Sequence, residues 1–220
     1  MYAYAGNNPI KYTDPDGRII VASVEHYIMQ GSRWGNSNLG NSSTVKVKEQ
    51  GCFLTGFSMV VSTLIGKGNL YSRNAFTPNS INSFKSFFEK NSQSMLSSIV
   101  GNSYNLKFDW WTKSKQGDLS VKLSEIADSS KKFSVLGYVA WNKDKPNNAN
   151  HWVYINSSPM DGSQLGDEFD DCKYVEMLGT SENDKPSNRP SGWIEKNGKM
   201  YIPTKMIDKI YTWNEENKNE

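Results

Sequence analysis

The sequence predicts an α+β fold: a helical half that opens on a Gly-Cys pair, then an antiparallel sheet one strand of which starts at a histidine. Three observations carry this. First, Phe57, Val60, Val61, Leu64 and Ile65 recur at the spacing of one helix face directly after Gly51-Cys52. Second, the apolar, β-branched and aromatic runs Phe133–Trp141, His151–Asn156 and Lys173–Gly179 follow one another across polar loops. Third, runs of helices followed by runs of strands segregate into an α+β layout.

The bulk numbers bound what such a chain does. Its 220 residues suffice for one sizeable core, or one domain with a short attachment. The balance of 25 basic against 23 acidic side chains argues against a nucleic-acid-binding surface, and the lysines are scattered. Neither an 18-residue apolar run nor a secretory leader is present, so no membrane partner is expected. Export would depend on something outside this sequence. Two histidines and two cysteines do not make a zinc site, and no cofactor is expected. Cys52 and Cys172 could join in one disulfide; equally, one is reactive and the other incidental. Cys172 sits in a polar turn and reads as structural or incidental.

Taken in order, residues 1–17 hold two turn signals, Asn7-Asn8-Pro9 and Asp14-Pro15-Asp16-Gly17, around a short Ile10-Lys11-Tyr12 strand. They cannot bury a core, and read as the end of something larger upstream. The pattern Tyr2-x-Tyr4-x-x-Asn7-Asn8-Pro9 followed by Asp14-Pro15-x-Gly17 resembles the closing repeat of the Rhs/YD-repeat core. In that family a β-rich shell precedes a variable toxin domain. The resemblance therefore implies a boundary, with residues 1–17 as the end of the core and 18–220 as the toxin domain.

Ile19–Ala22 reads as a short strand, and His26, isolated among apolar neighbours, as packing or surface. Cys52 opens the first long helix, with Gly66 and Gly68 as stop signals. At that end free N–H groups and the helix dipole favour a thiolate. Thr77 and Pro78 cap and start a second helix, with Ile81, Phe84 and Phe88 inward. Met95 to Val100 suggests a short helix, and Tyr104 to Trp111 a strand or loop. Asp118 caps a third helix running to about Ser130. After the three strand runs, Met200–Pro203 reads as a further strand. Thr204 reads as the cap of a last helix with Met206, Ile207, Ile210 and Tyr211 inward, before a frayed tail from Asn214.

This order puts Cys52 and His151 on different halves of the fold. A sulfur at a helix start can meet an imidazole at a strand start, which takes the thiol proton and later returns it to a leaving group. A third group must hold the imidazole. Asp184 and then Asn183 are favoured, with Asp161 in a hairpin tip behind them.

The ordered set Gln30, Arg33-Trp34, Leu39-Gly40, Gly51-Cys52-Phe53-Leu54-Thr55, Met59 and His151-Trp152-Val153 resembles the C39-like, papain-like cysteine peptidases. The resemblance implies Cys52 as nucleophile, His151 as base, and Gln30 as oxyanion donor together with the Cys52 backbone N–H. It further implies a papain-like fold and a protein or peptide substrate. Gly31 replaces the family's Asp, and Gly179-Thr180-Ser181-Glu182-Asn183-Asp184 stands where the family has Asp-Pro. Trp34 and Trp152, with Trp110 and Trp111, are candidates for the substrate cleft. Together the two resemblances imply a secreted or delivered peptidase toxin with a cognate immunity protein. The same dyad also serves deamidation or transglutamination, and a silent binding domain would keep the fold alone.

Overall fold

A computed structural model describes residues 12–13, 21–22, 27–65, 76–129, 132–141, 148–169, 172–184, 188 and 192–215. The helices are α1 (Val47–Gln50), α2 (Cys52–Leu64), α3 (Pro78–Ser83), α4 (Ser97–Ser103), α5 (Lys113–Gln116) and α6 (Leu119–Ala127). The strands are β1 (Tyr12–Thr13), β2 (Val21–Ala22), β3 (Leu106–Thr112), β4 (Phe133–Ala140), β5 (Ala149–Ile155), β6 (Met160–Asp161), β7 (Lys173–Leu178), β8 (Ile194–Lys196), β9 (Lys199–Pro203) and β10 (Ile207–Glu215). The chain is therefore α+β. Gly66, Gly68 and His26 lie outside the described residues, as do most of residues 1–17; β1 and β2 pair with each other.

The main sheet runs β3-β10-β4-β5-β7-β9-β8, with β6 paired to β7, and its pairings are antiparallel. Two cores flank it. On one side Phe57, Val60, Val61 and Leu64 of α2 pack with Leu136, Tyr154 and Trp213. On the other Leu119, Leu123 and Ile126 of α6 pack with Val135, Val153, Ile155 and Ile210. The alternation along β4 and β5 feeds both cores, as expected of a strand covered on two faces.

The helix starts follow their caps. Thr77 accepts from the Ser80 N–H with Pro78 behind it, and Asp118 accepts from the Ser120 N–H. The second helix is shorter than the apolar pattern suggests. Phe84 closes it and turns outward, half exposed, whereas Phe88 is buried beyond a single 3₁₀ turn.

The C-terminal segment corrects the sequence expectation. Thr204–Met206 forms one 3₁₀ turn, and the expected last helix is the strand β10. A bulge between Ile207 and Lys209 shifts the register against β4, so Ile207 and Ile210 are both buried. That three-residue spacing imitates one helix face. The run Ile-Tyr-Thr-Trp, β-branched and aromatic, suits a strand better. Asn214, expected to fray, is buried and pairs with Phe133 and Lys107.

Candidate active site

The sulfur comes first. Gly51 is the N-cap of α2, and a Cβ there would stand 2.4 Å from the Val47 carbonyl oxygen. Only glycine lets α1 turn so tightly into α2, and the turn sets Cys52 at the first helical position. The backbone N–H groups of Phe53 and Trp152 point at its sulfur, and its thiol pairs with His151. Cys52 is partly exposed and not in a disulfide.

His151 sits near the start of β5, 3% exposed. The strand begins two residues earlier than the histidine, at Ala149. Between the pairs Val139–His151 and Ala140–Ala149 the ladder carries an extra residue, Asn150, whose Oδ1 accepts the Trp141 N–H at 3.0 Å. The bulge increases the local twist just before the imidazole. The Trp141 indole stacks on that imidazole, with centroids 5.2 Å apart and planes at 23°.

His151 Nε2 lies 3.0 Å from Asp184 Oδ2, and both side chains are buried. That contact leaves Nδ1 for the sulfur. Asp184 is held in turn: Oδ1 accepts from Trp141 Nε1 at 3.1 Å, and Oδ2 accepts from the Ser181 N–H at 2.9 Å. Its carboxylate lies over Gly179, where a Cβ would stand 2.5 Å from the Asp184 Cβ. Thr180 Oγ1 is 3.2 Å from His151 Nε2 and donates to the Trp152 carbonyl at 2.6 Å.

The charges follow from these contacts. Burial pushes the Cys52 thiol up, but the hydrogen bond and charge of His151 and the two backbone N–H groups outweigh it, leaving the thiol below its ordinary value. Burial pushes the His151 imidazole down; the hydrogen bonds to Asp184 and Cys52 overcome this and raise it to about 9. Both shifts run toward the charged forms, thiolate on Cys52 and imidazolium on His151, and the Asp184 carboxylate faces the imidazole. A thiol, an imidazole and a carboxylate are thus linked in series, an arrangement that can serve thiol-based acyl transfer.

The other expected residues are placed as follows. Asn183 is exposed, and only Asp184 of that pair reaches the imidazole. Asp161 is exposed and pairs with Lys173 at 3.0 Å, away from the site. Gln30 reaches the turn that carries Asp184. Its Nε2 donates to Ser181 Oγ at 3.0 Å and its Oε1 accepts the Glu182 N–H at 3.2 Å. The amide therefore braces the turn that carries Asp184. Trp34 packs edge-on against Tyr27 and donates to the Ile28 carbonyl at 2.7 Å, so it acts in packing. Trp152 stays beside the sulfur, its ring against Phe53, Tyr138 and Tyr211. Trp110 is exposed on β3, whereas Trp111 packs into the far core under Lys122.

Trp141, Thr180 and Ser181 are the site residues the sequence did not single out. Gly179, required by the closeness of Asp184, was the available signal. Among the described residues no group of His, Cys, Asp and Glu forms a metal site, and no helix is long and apolar enough to cross a membrane. Compared with known proteins, the chain matches no family model and no curated protein.

Proposed function

We propose that this chain is a papain-like cysteine peptidase that hydrolyses a peptide or amide bond through an acyl-enzyme on Cys52. The observation that carries the reading is the linkage of Cys52, at a helix start, to His151 and of His151 to the buried Asp184. The Cys52 thiolate attacks the carbonyl carbon, and the C=O π electrons move onto oxygen. The Cys52 N–H, at the first turn of α2, faces that oxyanion; N–H groups there have no partner within the helix. The intermediate collapses, the C–N bond breaks, and His151 Nδ1–H gives its proton to the leaving nitrogen. Water then attacks the thioester while His151 takes one of its protons. The C–S bond breaks, releasing a carboxylic acid and restoring the ion pair.

Trp152, with Phe53, Tyr138 and Tyr211, forms the aromatic wall beside the sulfur on which a substrate side chain would rest. The opening segment supports reading the peptidase as the toxin domain of an Rhs-type protein, delivered into a target cell and restrained by an immunity protein.

The test compares wild type with Cys52→Ala, each expressed in a cell lacking any immunity partner, with mass spectrometry of newly formed protein N-termini. Growth arrest and new N-termini should appear with wild type alone. Equal toxicity of the Ala variant would end the assignment. A one-unit mass shift of Gln side chains, or cross-links, would reassign the same site to deamidation or transglutamination.

A further inference from the structure

The Nε2 edge of His151 faces two oxygens, and the mechanism above uses only one of them. Asp184 Oδ2 is 3.0 Å away and Thr180 Oγ1 is 3.2 Å away. A hydroxyl has one hydrogen to donate and two lone pairs to accept. The Thr180 hydrogen goes to the Trp152 carbonyl, at 2.6 Å. Toward His151 this oxygen can only accept, so the nitrogen it faces must carry a hydrogen. That requirement holds whatever the state of Asp184.

We propose that Thr180 is a positioning residue that fixes His151 with its proton on Nε2 and its Nδ1 toward Cys52, duplicating part of the role of Asp184. Thr180 is fully buried, and its own carbonyl accepts the Met29 N–H at 2.7 Å, so the hydroxyl has a fixed origin. The carbonyl it holds belongs to Trp152, whose N–H points at the Cys52 sulfur. One side chain thereby restrains both the imidazole and a backbone donor of the thiolate. The turn 179–184 divides the orienting task between two residues: the hydroxyl at its start and the carboxylate at its end.

This inference rests on Cys52 being a thiolate nucleophile, and the test separates the two ideas. The readout is the rate of Cys52 alkylation by iodoacetamide between pH 5 and 9, followed by mass spectrometry of the Cys52 peptide. No substrate is needed. The titrating groups around the imidazole are Cys52 and Asp184; Tyr138 and Tyr211 are raised by burial and stay neutral over this range. Thr180→Val, Asp184→Ala, the double variant and Asp184→Ala with Thr180→Ser are compared with wild type, with circular dichroism as the check on folding.

With Asp184 present, Thr180→Val should slow alkylation only slightly. Without Asp184 it should slow it about tenfold more than multiplying the two single effects gives, the size of coupling typical of groups sharing one partner. Thr180→Ser, which keeps the hydroxyl, should restore the Asp184→Ala rate and its pH profile. Effects that simply multiply, or a Ser variant as slow as Val, would overturn the role of Thr180 and leave the nucleophile untouched. An ordinary thiol profile for wild-type Cys52 would overturn both. Should Val unfold the protein, Thr180→Ala in the two backgrounds carries the same comparison.

Discussion

Removing the sulfur should expose a pH dependence of stability that the wild-type protein conceals. In the native site of the proposed mechanism Cys52 and His151 together hold one proton across neutral pH, as thiolate and imidazolium, the direction in which both groups are shifted. In the unfolded chain, between the ordinary values of histidine and cysteine, they also hold one, on the thiol. Proton counts match, so this pair contributes no slope to stability between about pH 6.5 and 8.5. In Cys52→Ala the unfolded chain holds none of it above pH 6.5. The native chain still holds one, because Asp184 continues to raise His151. The sign follows: a raised histidine stabilises fully below its unfolded value and loses that contribution as pH climbs toward its folded value. The wild-type rise, from 6.5 to about 9, corresponds to ~3 kcal/mol. Cys52 supplies part of it, so Cys52→Ala should lose about 1–2 kcal/mol relative to wild type over this interval, at up to ~1.4 kcal/mol per pH unit. Urea unfolding followed by tryptophan fluorescence at half-unit steps measures it, and subtracting wild type cancels the other titrating groups. A difference that is flat, or that favours the variant as pH rises, would refute the raising of His151 by Asp184.

Gly179→Ala should slow Cys52 alkylation about as much as Asp184→Ala does, because its Cβ would occupy the space of the Asp184 side chain; a normal rate would show that the turn yields freely. Trp141→Phe keeps the ring over His151 but strips Asp184 Oδ1 of its indole donor, which should cost roughly 1–3 kcal/mol in urea unfolding, the penalty for a buried acceptor left short. Asn183→Ala should leave both alkylation and stability within about 0.5 kcal/mol of wild type, as its side chain is exposed; a loss matching that of Asp184→Ala would mean that the orienter is misassigned.

The parts of the site readable in the sequence are those with a local signature. Gly51-Cys52 ahead of an apolar stripe announces a helix start, and His151-Trp152-Val153 announces a strand; both signals lie within a few residues. Asp184 was favoured ahead of Asn183 on the sequence, but which of the two side chains turns inward on a six-residue turn is visible only in the structure. Trp141 and Thr180 carried no signal, because their roles exist only through partners 43 and 29 positions away. Gln30 had a signal in the ordered set of residues, but its bonds to Ser181 and the Glu182 N–H join positions more than 150 apart and had none. β10 was misread because its bulge places Ile207 and Ile210 on one side, a spacing that hydrophobic periodicity assigns to a helix.

The location of β10 sets the order in which this molecule can become functional. Ile207–Glu215 lies between β3 and β4, so it joins two strands made long before it. Its fully buried Trp213 meets Phe53, the residue after Cys52, and Phe57 one turn further along α2. Until that strand has been made, β3 has no strand to pair with and the start of α2 lacks its floor. Such late closure ties completion of the floor beneath Cys52 to the arrival of β10: a chain that stops short of it already carries Cys52, His151 and Asp184 but lacks the strand that packs under the start of α2.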